Sequence, residues 1–178
     1  MDSGSHLTAE EEKKRYSFHQ NNADDKGYVS FLSRAIEPTI SFLKDGMHGL
    51  DYGCGPNPVL ANIVTSKGFK CDFYDPFFFP ECKMDCKFDF IFATECFEHF
   101  FWPNKDIEQI CKILKKDGIL SIMTELWNSN GDFDSWYYKN DPTHVCFYSE
   151  NTISYICENF LFEKIYSDNK RVIILKKI

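Results

Sequence analysis

Residues 50–58, with the sequence LDYGCGPNP, form the clearest candidate for a ligand-binding turn in the chain. An apolar residue and an acid lead into Gly53 and Gly55, which permit backbone conformations and close approaches that a β-carbon would block. Such a turn either reverses the chain or brings a ligand against main-chain amides at the start of the following helix. Whether this turn is a simple chain reversal or a ligand-binding turn depends on the residues found elsewhere in the chain.

Two clusters of polar and aromatic side chains follow no clean period and are candidates for substrate contacts and proton transfer. One lies within residues 15–28 and the other within residues 136–148. Histidine titrates near neutral pH, so His144 is the first candidate for a general base and His19 the second. Loops of this kind on a rigid scaffold often carry function, and the alternative is a surface loop with a few satisfied hydrogen bonds. The candidates for substrate binding are Tyr16, Tyr28, Trp136, Tyr137 and Tyr148.

The eight cysteines favour packing over disulfide formation or metal binding. No CxxC pair occurs, and several cysteines lie in apolar stretches, where a thiol behaves as a small hydrophobic group. A metal site formed by His19, His144 and a cysteine has no supporting spacing, so the sequence predicts no metal ligands. Reduced, structural thiols indicate a cytoplasmic protein.

Composition and charge restrict the partners of the chain. A net charge of −7 argues against non-specific attraction to nucleic acid, whose phosphates favour basic surfaces. No apolar run approaches the roughly 20 residues of a membrane span, and no basic-then-apolar leader begins the chain. The length of 178 residues suits one domain with a substantial core. We predict a single domain over residues 8–178, preceded by a disordered tail or expression scar at residues 1–7.

Strand-like and helix-like segments alternate along the chain, which is typical of a mostly parallel sheet covered on both faces. The pattern predicts an N-terminal helical lid within residues 8–46 and a core over residues 47–178. In the core, NKDIEQICKILKKDG predicts an amphipathic helix that stops at Gly118, and SENTISYICENF predicts a helix with a serine N-cap. The chain ends in two strands around SDNK, and so short a connection joins antiparallel strands.

Several of these segments together resemble the class I S-adenosylmethionine-dependent methyltransferases, above all the small bacterial type 11/23, ubiquinone-biosynthesis-like group. The matching segments lie within residues 40–178 and are LDYGCGPNP, FYDP, FDFIFATECFEHF, LKKDGILSIMTE and the closing hairpin. The resemblance implies an α/β fold: a Rossmann-like three-layer sandwich on a mostly parallel, seven-stranded sheet that ends in an antiparallel hairpin. Only 12 residues separate Asp75 from Phe88, so the third strand, around residues 82–86, must be abbreviated.

The resemblance also implies that S-adenosyl-L-methionine binds at the glycine turn and beyond the neighbouring strands. Asp75 follows Asp51 by 24 residues and can accept both ribose hydroxyls, with a turn cap as the alternative. Phe77 is either an apolar wall beside the adenine or a core residue. His99 matches a family histidine that makes a structural hydrogen bond, with a catalytic role as the alternative. The implied cofactor-binding residues are Asp51, Gly53, Cys54, Gly55, Asp75, Pro76, Phe77, Thr94 and Glu95.

The implied activity is methyl transfer to a small-molecule acceptor by in-line displacement, with catalysis mainly by positioning. Many enzymes that methylate amide or base nitrogens carry an Asn/Asp-Pro-Pro-aromatic motif where this chain has TECF, which argues against that chemistry. The alternatives are a cofactor-binding partner or regulatory subunit without turnover and an RNA or protein methyltransferase. A nicotinamide-dependent oxidoreductase ranks below them, because GCGPNP lacks the GxGxxG spacing. We expect neither nucleic acid nor membrane as a partner, and a monomer or homodimer.

Overall fold

The computed structural model describes residues 8–17, 22–81, 86–128 and 131–178. The helices of these segments are α1 (Ala9–Ser17), α2 (Lys26–Ile40), α3 (Val59–Ser66), α4 (Pro103–Ile113) and α5 (Glu150–Phe160). The strands are β1 (His48–Tyr52), β2 (Lys70–Tyr74), β3 (Phe88–Thr94), β4 (Leu114–Met123), β5 (Phe162–Ser167) and β6 (Val172–Lys177).

The described strands form one six-stranded sheet in the order β2-β1-β3-β4-β6-β5. The pairs β1–β2, β1–β3 and β3–β4 are parallel, whereas β6 runs antiparallel to both β4 and β5. This confirms the mostly parallel α/β sheet with a terminal antiparallel hairpin. The sequence predicts seven strands, and most of the segment expected to form the abbreviated one, residues 82–85, lies outside the described residues.

Two hydrophobic cores lie on opposite faces of the sheet. Side chains of α2 and α3, such as Ile36 and Val64, pack with Phe90 and Phe92 of β3 on one face. Side chains of α4 and α5 pack with Ile91 of β3 on the other. Successive side chains of a strand point to opposite faces, so β3 supplies both cores and the domain has three layers.

The helix α4 ends at Ile113, five residues before the predicted stop at Gly118. Leu114 takes an extended conformation (φ −88°, ψ 131°) and begins β4, and Asp117 has a positive φ of 61°. A β-carbon on Gly118 would lie 2.7 Å from Leu114 Cδ1 and 2.8 Å from the carbonyl of Lys115. The glycine therefore permits a tight approach inside an irregular strand start, and it does not end the helix.

Other features of the described residues bear on the sequence predictions. The predicted N-cap of α5 is confirmed, because the side chain of Ser149 accepts a hydrogen bond from the amide of Thr152. The seven described cysteines are free thiols, and Cys82 lies outside the described residues. None of the described helices is long and apolar enough to cross a membrane.

Candidate active site

The turn after β1 depends on its glycines. Gly53 and Gly55 have positive φ angles of 81° and 67°, a region that side chains rarely occupy. A β-carbon on Gly53 would lie 2.9 Å from Cβ of Cys96. The amides of Gly53 and Cys54 both donate to the carbonyl of Tyr74, at 2.8 and 3.0 Å, which fixes the turn against the end of β2.

The carboxylate of Asp75, at the end of β2, is almost fully occupied by backbone amides. Its Oδ2 accepts from Gly55 at 2.9 Å, and its Oδ1 accepts from Phe77 and Phe78 at 2.8 and 3.1 Å. A carboxylate offers about four lone-pair sites, so about one remains for a further hydrogen bond. The structure thus places Asp75 as a cap that joins the glycine turn to the following turn.

Asp51 lies on the last part of β1 beneath the start of α3. Its side chain is buried, and its Oδ2 accepts from the amide of Ala61, in the first turn of α3, at 3.3 Å. Burial raises the pKa of Asp51 to about 7, and the nearby Asp75 adds to that rise. A cationic group bound at the turn would meet a carboxyl poised to become charged.

A cavity of about 970 Å³ lies beyond the carboxyl ends of β1, β2 and β3. Its walls come from the glycine turn, the ends of these strands, α1, α2 and the segment 137–144. It brings together most of the residues that the sequence predicts for the site. Those that line it are Asp51, Gly53, Cys54, Gly55, Asp75, Pro76, Phe77, Thr94, Glu95, Tyr16, Tyr28, Tyr137 and His144.

Two of the described residues predicted for the site do not appear in its wall. Tyr148 is a core residue with 1% of its surface exposed, and its hydroxyl donates to the carbonyl of Phe97 at 3.1 Å. Trp136 lies outside the lining and donates from its indole nitrogen to Glu125 at 3.0 Å. His19 lies outside the described residues. The sequence predicts that Tyr148 and Trp136 bind substrate. In the structure Tyr148 lies in the core and Trp136 lies outside the cavity lining.

The helix α1 is connected to the cavity wall by polar contacts. The hydroxyl of Tyr16 donates to Glu12 at 2.8 Å and lies 2.9 Å from Nδ1 of His99. Arg15 forms an ion pair with Asp141 at 2.9 Å. Although burial alone would raise it, hydrogen bonds from Thr143 and Arg15 hold the pKa of Asp141 well below its usual range. These contacts connect α1 with the segment that follows β4.

An ionic cluster occupies the end of the cavity next to β3 and the final hairpin. Arg171, on the turn before β6, binds Glu95 through two hydrogen bonds of 3.0 and 3.1 Å. It also contacts Glu125 and donates to the hydroxyl of Tyr137 at 2.8 Å. Its guanidinium lies 5.5 Å from the ring centroid of Tyr138. Glu95 has a positive φ of 48°, an uncommon conformation that commonly marks a functional position in a fold.

A second polar cluster surrounds Glu98, in the short 3₁₀ helix Phe97–His99. The Glu98 side chain is fully buried, and its Oε1 accepts from the hydroxyl of Tyr138 at 2.6 Å. Nδ1 of His99 lies 2.9 Å from the carbonyl of Thr143, and Nδ1 of His144 lies 2.7 Å from the carbonyl of Tyr138. Both contacts require a proton on Nδ1, because a carbonyl only accepts.

Comparison with known proteins identifies the fold around this cavity. A family model described as a methyltransferase domain matches residues 24–167. The chain belongs to this methyltransferase family. Family membership confirms the resemblance that the motifs from residue 50 onward carry.

Solved methyltransferases share the fold of this family member at low sequence identity. One is a SAM-dependent methyltransferase from Archaeoglobus fulgidus, 18% identical, with a TM-score of 0.61 over 84% of this chain and 94% of that chain. Another, from Methanosarcina mazei, is 16% identical, with a TM-score of 0.58 over 79% and 97%. A third is CalO1, a methyltransferase in calicheamicin biosynthesis solved with SAH bound, 8% identical, with a TM-score of 0.56 over 86% and 59%. Comparison with curated proteins finds no match.

Several residues that line this methyltransferase's cavity were missed by the sequence analysis. Arg171 reaches the cavity from the turn between β5 and β6, and a polar residue beside a predicted hairpin carries no local signal of that placement. Glu98 gives only a weak signal, since it follows a predicted strand at its carboxyl end, whereas its neighbour His99 is expected from the family resemblance to make a structural hydrogen bond. Tyr138 is one of three consecutive aromatic residues, and sequence alone does not tell which of them turns inward.

Proposed function

We propose that this protein transfers a methyl group from S-adenosyl-L-methionine to a small-molecule acceptor. The observation that carries the proposal is the pair of positive-φ glycines, Gly53 and Gly55, which line a large cavity together with Asp51 and Asp75. Membership of the methyltransferase family and the likeness to SAM-dependent methyltransferases support it. So does the SAH-bound form of CalO1.

The residues of the cavity fit the cofactor in chemistry and in size. The buried Oγ1 of Thr94 has no hydrogen-bond partner among the described residues, as expected of a group whose partner is a ligand. About one lone pair of Asp75 is open to a ribose hydroxyl. Ligand pockets of about 300–1,000 Å³ are usual for a drug-sized molecule, so a cavity of about 970 Å³ has room for a nucleoside and an acceptor.

The proposed roles are those that the family resemblance implies for residues that line the cavity. We assign the glycine turn, with Asp51, Cys54 and Asp75, to the methionine and ribose parts, and Pro76 and Phe77 to the adenine. We also assign Thr94 and Glu95 to the cofactor, towards its sulfonium. The acceptor residues are Tyr16, Tyr28 and Tyr137.

His144 is the proposed general base for an acceptor that must lose a proton. Its Nδ1–H donates to the carbonyl of Tyr138, which leaves Nε2 as the proton-accepting nitrogen. Burial lowers the pKa of His144, so the ring stays neutral near pH 7. The cofactor supplies an electrophilic methyl group on a sulfonium, and the protein's own task is to align the acceptor and exclude water. His19, outside the described residues, stays the second candidate.

The acidic charge and the free thiols support proposals on the kind of acceptor and on the cellular compartment. A net charge of −7 favours a small molecule over nucleic acid as the acceptor. Free thiols suit the cytoplasm. We propose a monomer or a homodimer there.

Calorimetry with S-adenosylhomocysteine tests the proposal, and two glycines provide a matched pair of variants. Gly53 and Gly46 both have φ near 81°, but a β-carbon on Gly46 meets nothing within 4 Å, whereas one on Gly53 meets Cys96. Alanine at either position therefore carries similar backbone strain. We expect wild type and Gly46→Ala to bind alike and Gly53→Ala to bind at least about tenfold more weakly. Binding of NAD without binding of S-adenosylhomocysteine would refute the proposal.

A further inference from the structure

Glu98, His99 and His144 bring three metal-ligating groups together at one place in the cavity wall. One carboxylate oxygen and one nitrogen of each ring lie within 4.8 Å of one another. All three residues line the cavity. Glu98 comes from the 3₁₀ helix Phe97–His99, and His144 comes from the segment after β4, so the cluster exists only in the folded chain.

Backbone hydrogen bonds hold these two segments in register. The carbonyl of Glu98 accepts from the amides of Val145 and Cys146, at 2.9 and 3.1 Å. The Nδ1 contact of His99 to the carbonyl of Thr143 adds a third connection. The three groups are therefore positioned by main-chain contacts on both sides, which is the preorganisation that a ligand site requires.

In both histidine rings the proton lies on Nδ1, which leaves Nε2 unprotonated. Nδ1 of His99 and of His144 each donates to a backbone carbonyl, so Nε2 carries the lone pair in both neutral rings. Histidines that bind metals characteristically donate their other ring N–H to a carbonyl or carboxylate. Nε2 of His99 lies 3.9 Å from Oε1 of Glu98. Two ligands at about 2.1 Å from one tetrahedral ion are about 3.4 Å apart, so His99 and Glu98 would have to approach each other by about 0.5 Å.

The buried carboxylate of Glu98 needs a compensating group. Its side chain is fully buried, and Oε2 has no hydrogen-bond partner among the described residues. Within the part of the chain that the structure describes, Arg171 pairs with Glu95 and Glu125, and no lysine or arginine pairs with Glu98. A buried carboxylate without a cation or full hydrogen bonding is costly, and a divalent ion would supply the missing charge.

We propose that Nε2 of His99, Nε2 of His144 and the carboxylate of Glu98 bind a divalent first-row transition-metal ion, with Zn²⁺ as the reference ion. Two imidazoles and one carboxylate suit zinc or iron and not magnesium or calcium, which prefer oxygen ligands. Three protein ligands leave at least one coordination position, as in catalytic zinc sites.

The consequence for the reaction rests on the proposed function. Nε2 of His144 cannot bind an ion and accept a proton at the same time. An ion bound there would lower the pKa of a hydroxyl that coordinates it, so that the hydroxyl would release its proton to solvent and His144 would serve as a ligand in place of a base. The O–CH₃ bond would then form as the S–CH₃ bond of the sulfonium breaks, with S-adenosylhomocysteine as the leaving group. The acceptor class is then a hydroxyl compound, methylated on oxygen.

Titration of chelator-treated protein with ZnCl₂ tests the site, with no cofactor or acceptor present. Wild type should bind one equivalent, and Glu98→Gln and His144→Gln should weaken binding at least about tenfold. His48→Gln is the matched control, because His48 also contacts a carboxylate, Asp72 at 2.8 Å, but does not line the cavity. It should bind as wild type does.

Two outcomes of the titration would overturn the site: no stoichiometric Zn²⁺ binding to wild type, and equal binding by the control and the Glu98→Gln variant. The visible spectrum of the Co²⁺-loaded wild type shows which kind of side chain binds the ion. This measurement does not use the variants, so it does not depend on whether they fold. Thiolate-to-cobalt bands would assign the ion to cysteines and reject the proposal. If Zn²⁺ binds but S-adenosylhomocysteine does not, the proposed function fails and the metal site stands; the reverse result rejects the metal site alone.

Discussion

Replacing Asp75 by alanine should weaken both the fold and cofactor binding. In the ligand-free protein the carboxylate accepts from three backbone amides, those of Gly55, Phe77 and Phe78. A hydrogen bond to a charged group contributes about 1.5–3 kcal/mol. The freed amides regain part of this from water, so we expect a loss of about 2–4 kcal/mol in the free energy of unfolding. At about 2–4 °C per kcal/mol for a protein of this size, the melting temperature should fall by about 4–16 °C.

Asparagine at position 75 separates the cap from the ligand contact. Its carbonyl oxygen can still accept from Phe77 and Phe78, whereas its amide nitrogen cannot accept from Gly55. The melting temperature should therefore fall by about half as much as in Asp75→Ala. Both variants lose the charged acceptor for a ribose hydroxyl, so both should bind S-adenosylhomocysteine at least about tenfold more weakly.

Thermal unfolding followed by circular dichroism gives the melting temperature of each variant. Calorimetry at a temperature where each variant is folded gives its affinity for S-adenosylhomocysteine. A ligand-free Asp75→Ala protein that melts with wild type would show that the three amide contacts contribute nothing. Wild-type affinity in both variants would remove Asp75 from the cofactor site and leave it a turn cap.

Three further predictions concern stability. The pKa of Asp51 is raised from 3.8 to about 7, so between these pH values the folded state keeps a proton that the unfolded chain releases. The free energy of unfolding should therefore fall by on the order of 1–4 kcal/mol from about pH 4 to pH 7 and then level off. Urea unfolding of Asp51→Asn should show a smaller fall, because the buried Glu95 and Glu98, whose pKa values are also raised, still contribute theirs. The same slope in both proteins would contradict the assignment. Arg171→Met leaves Glu95 without its cation and should cost about 2–3 kcal/mol at pH 8, measured by the urea midpoint; an unchanged midpoint would show that the pair is not stabilising. Ser149→Ala removes the N-cap of α5 and should cost about 1 kcal/mol without changing S-adenosylhomocysteine affinity, and a change in affinity would connect α5 with the cavity.

The sequence predicted the layers of this fold because they depend on local periodicity. β3 reads as a mostly apolar strand with Asp89 near its start, and α5 shows both its cap at Ser149 and its apolar stripe. The end of α4 was not predictable in the same way. The apolar pattern continues through Leu114, and only its pairing with Phe88 in the sheet reveals that it belongs to β4.

The same distinction between local sequence patterns and long-range contacts applies to the residues of the site. The glycine turn is a local feature, so Gly53 and Gly55 were identified from their spacing. Arg171 and Tyr138 lie on the cavity through contacts with residues far away in the sequence, and no single-sequence pattern encodes such contacts. Tyr148 was assigned to the site because it is aromatic and near His144, but its hydroxyl satisfies a core carbonyl.

The ion pair between Arg15 and Asp141 joins residues that are 126 positions apart. Arg171 likewise reaches Glu95 across 76 positions, so residues far apart in the sequence meet in the wall of one cavity. A partly unfolded chain therefore has no partial binding site, and a ligand in the cavity opposes the unfolding of the whole domain. Amide hydrogens in the middle of the sheet, far from the ligand, should then exchange more slowly with solvent when the cavity is filled.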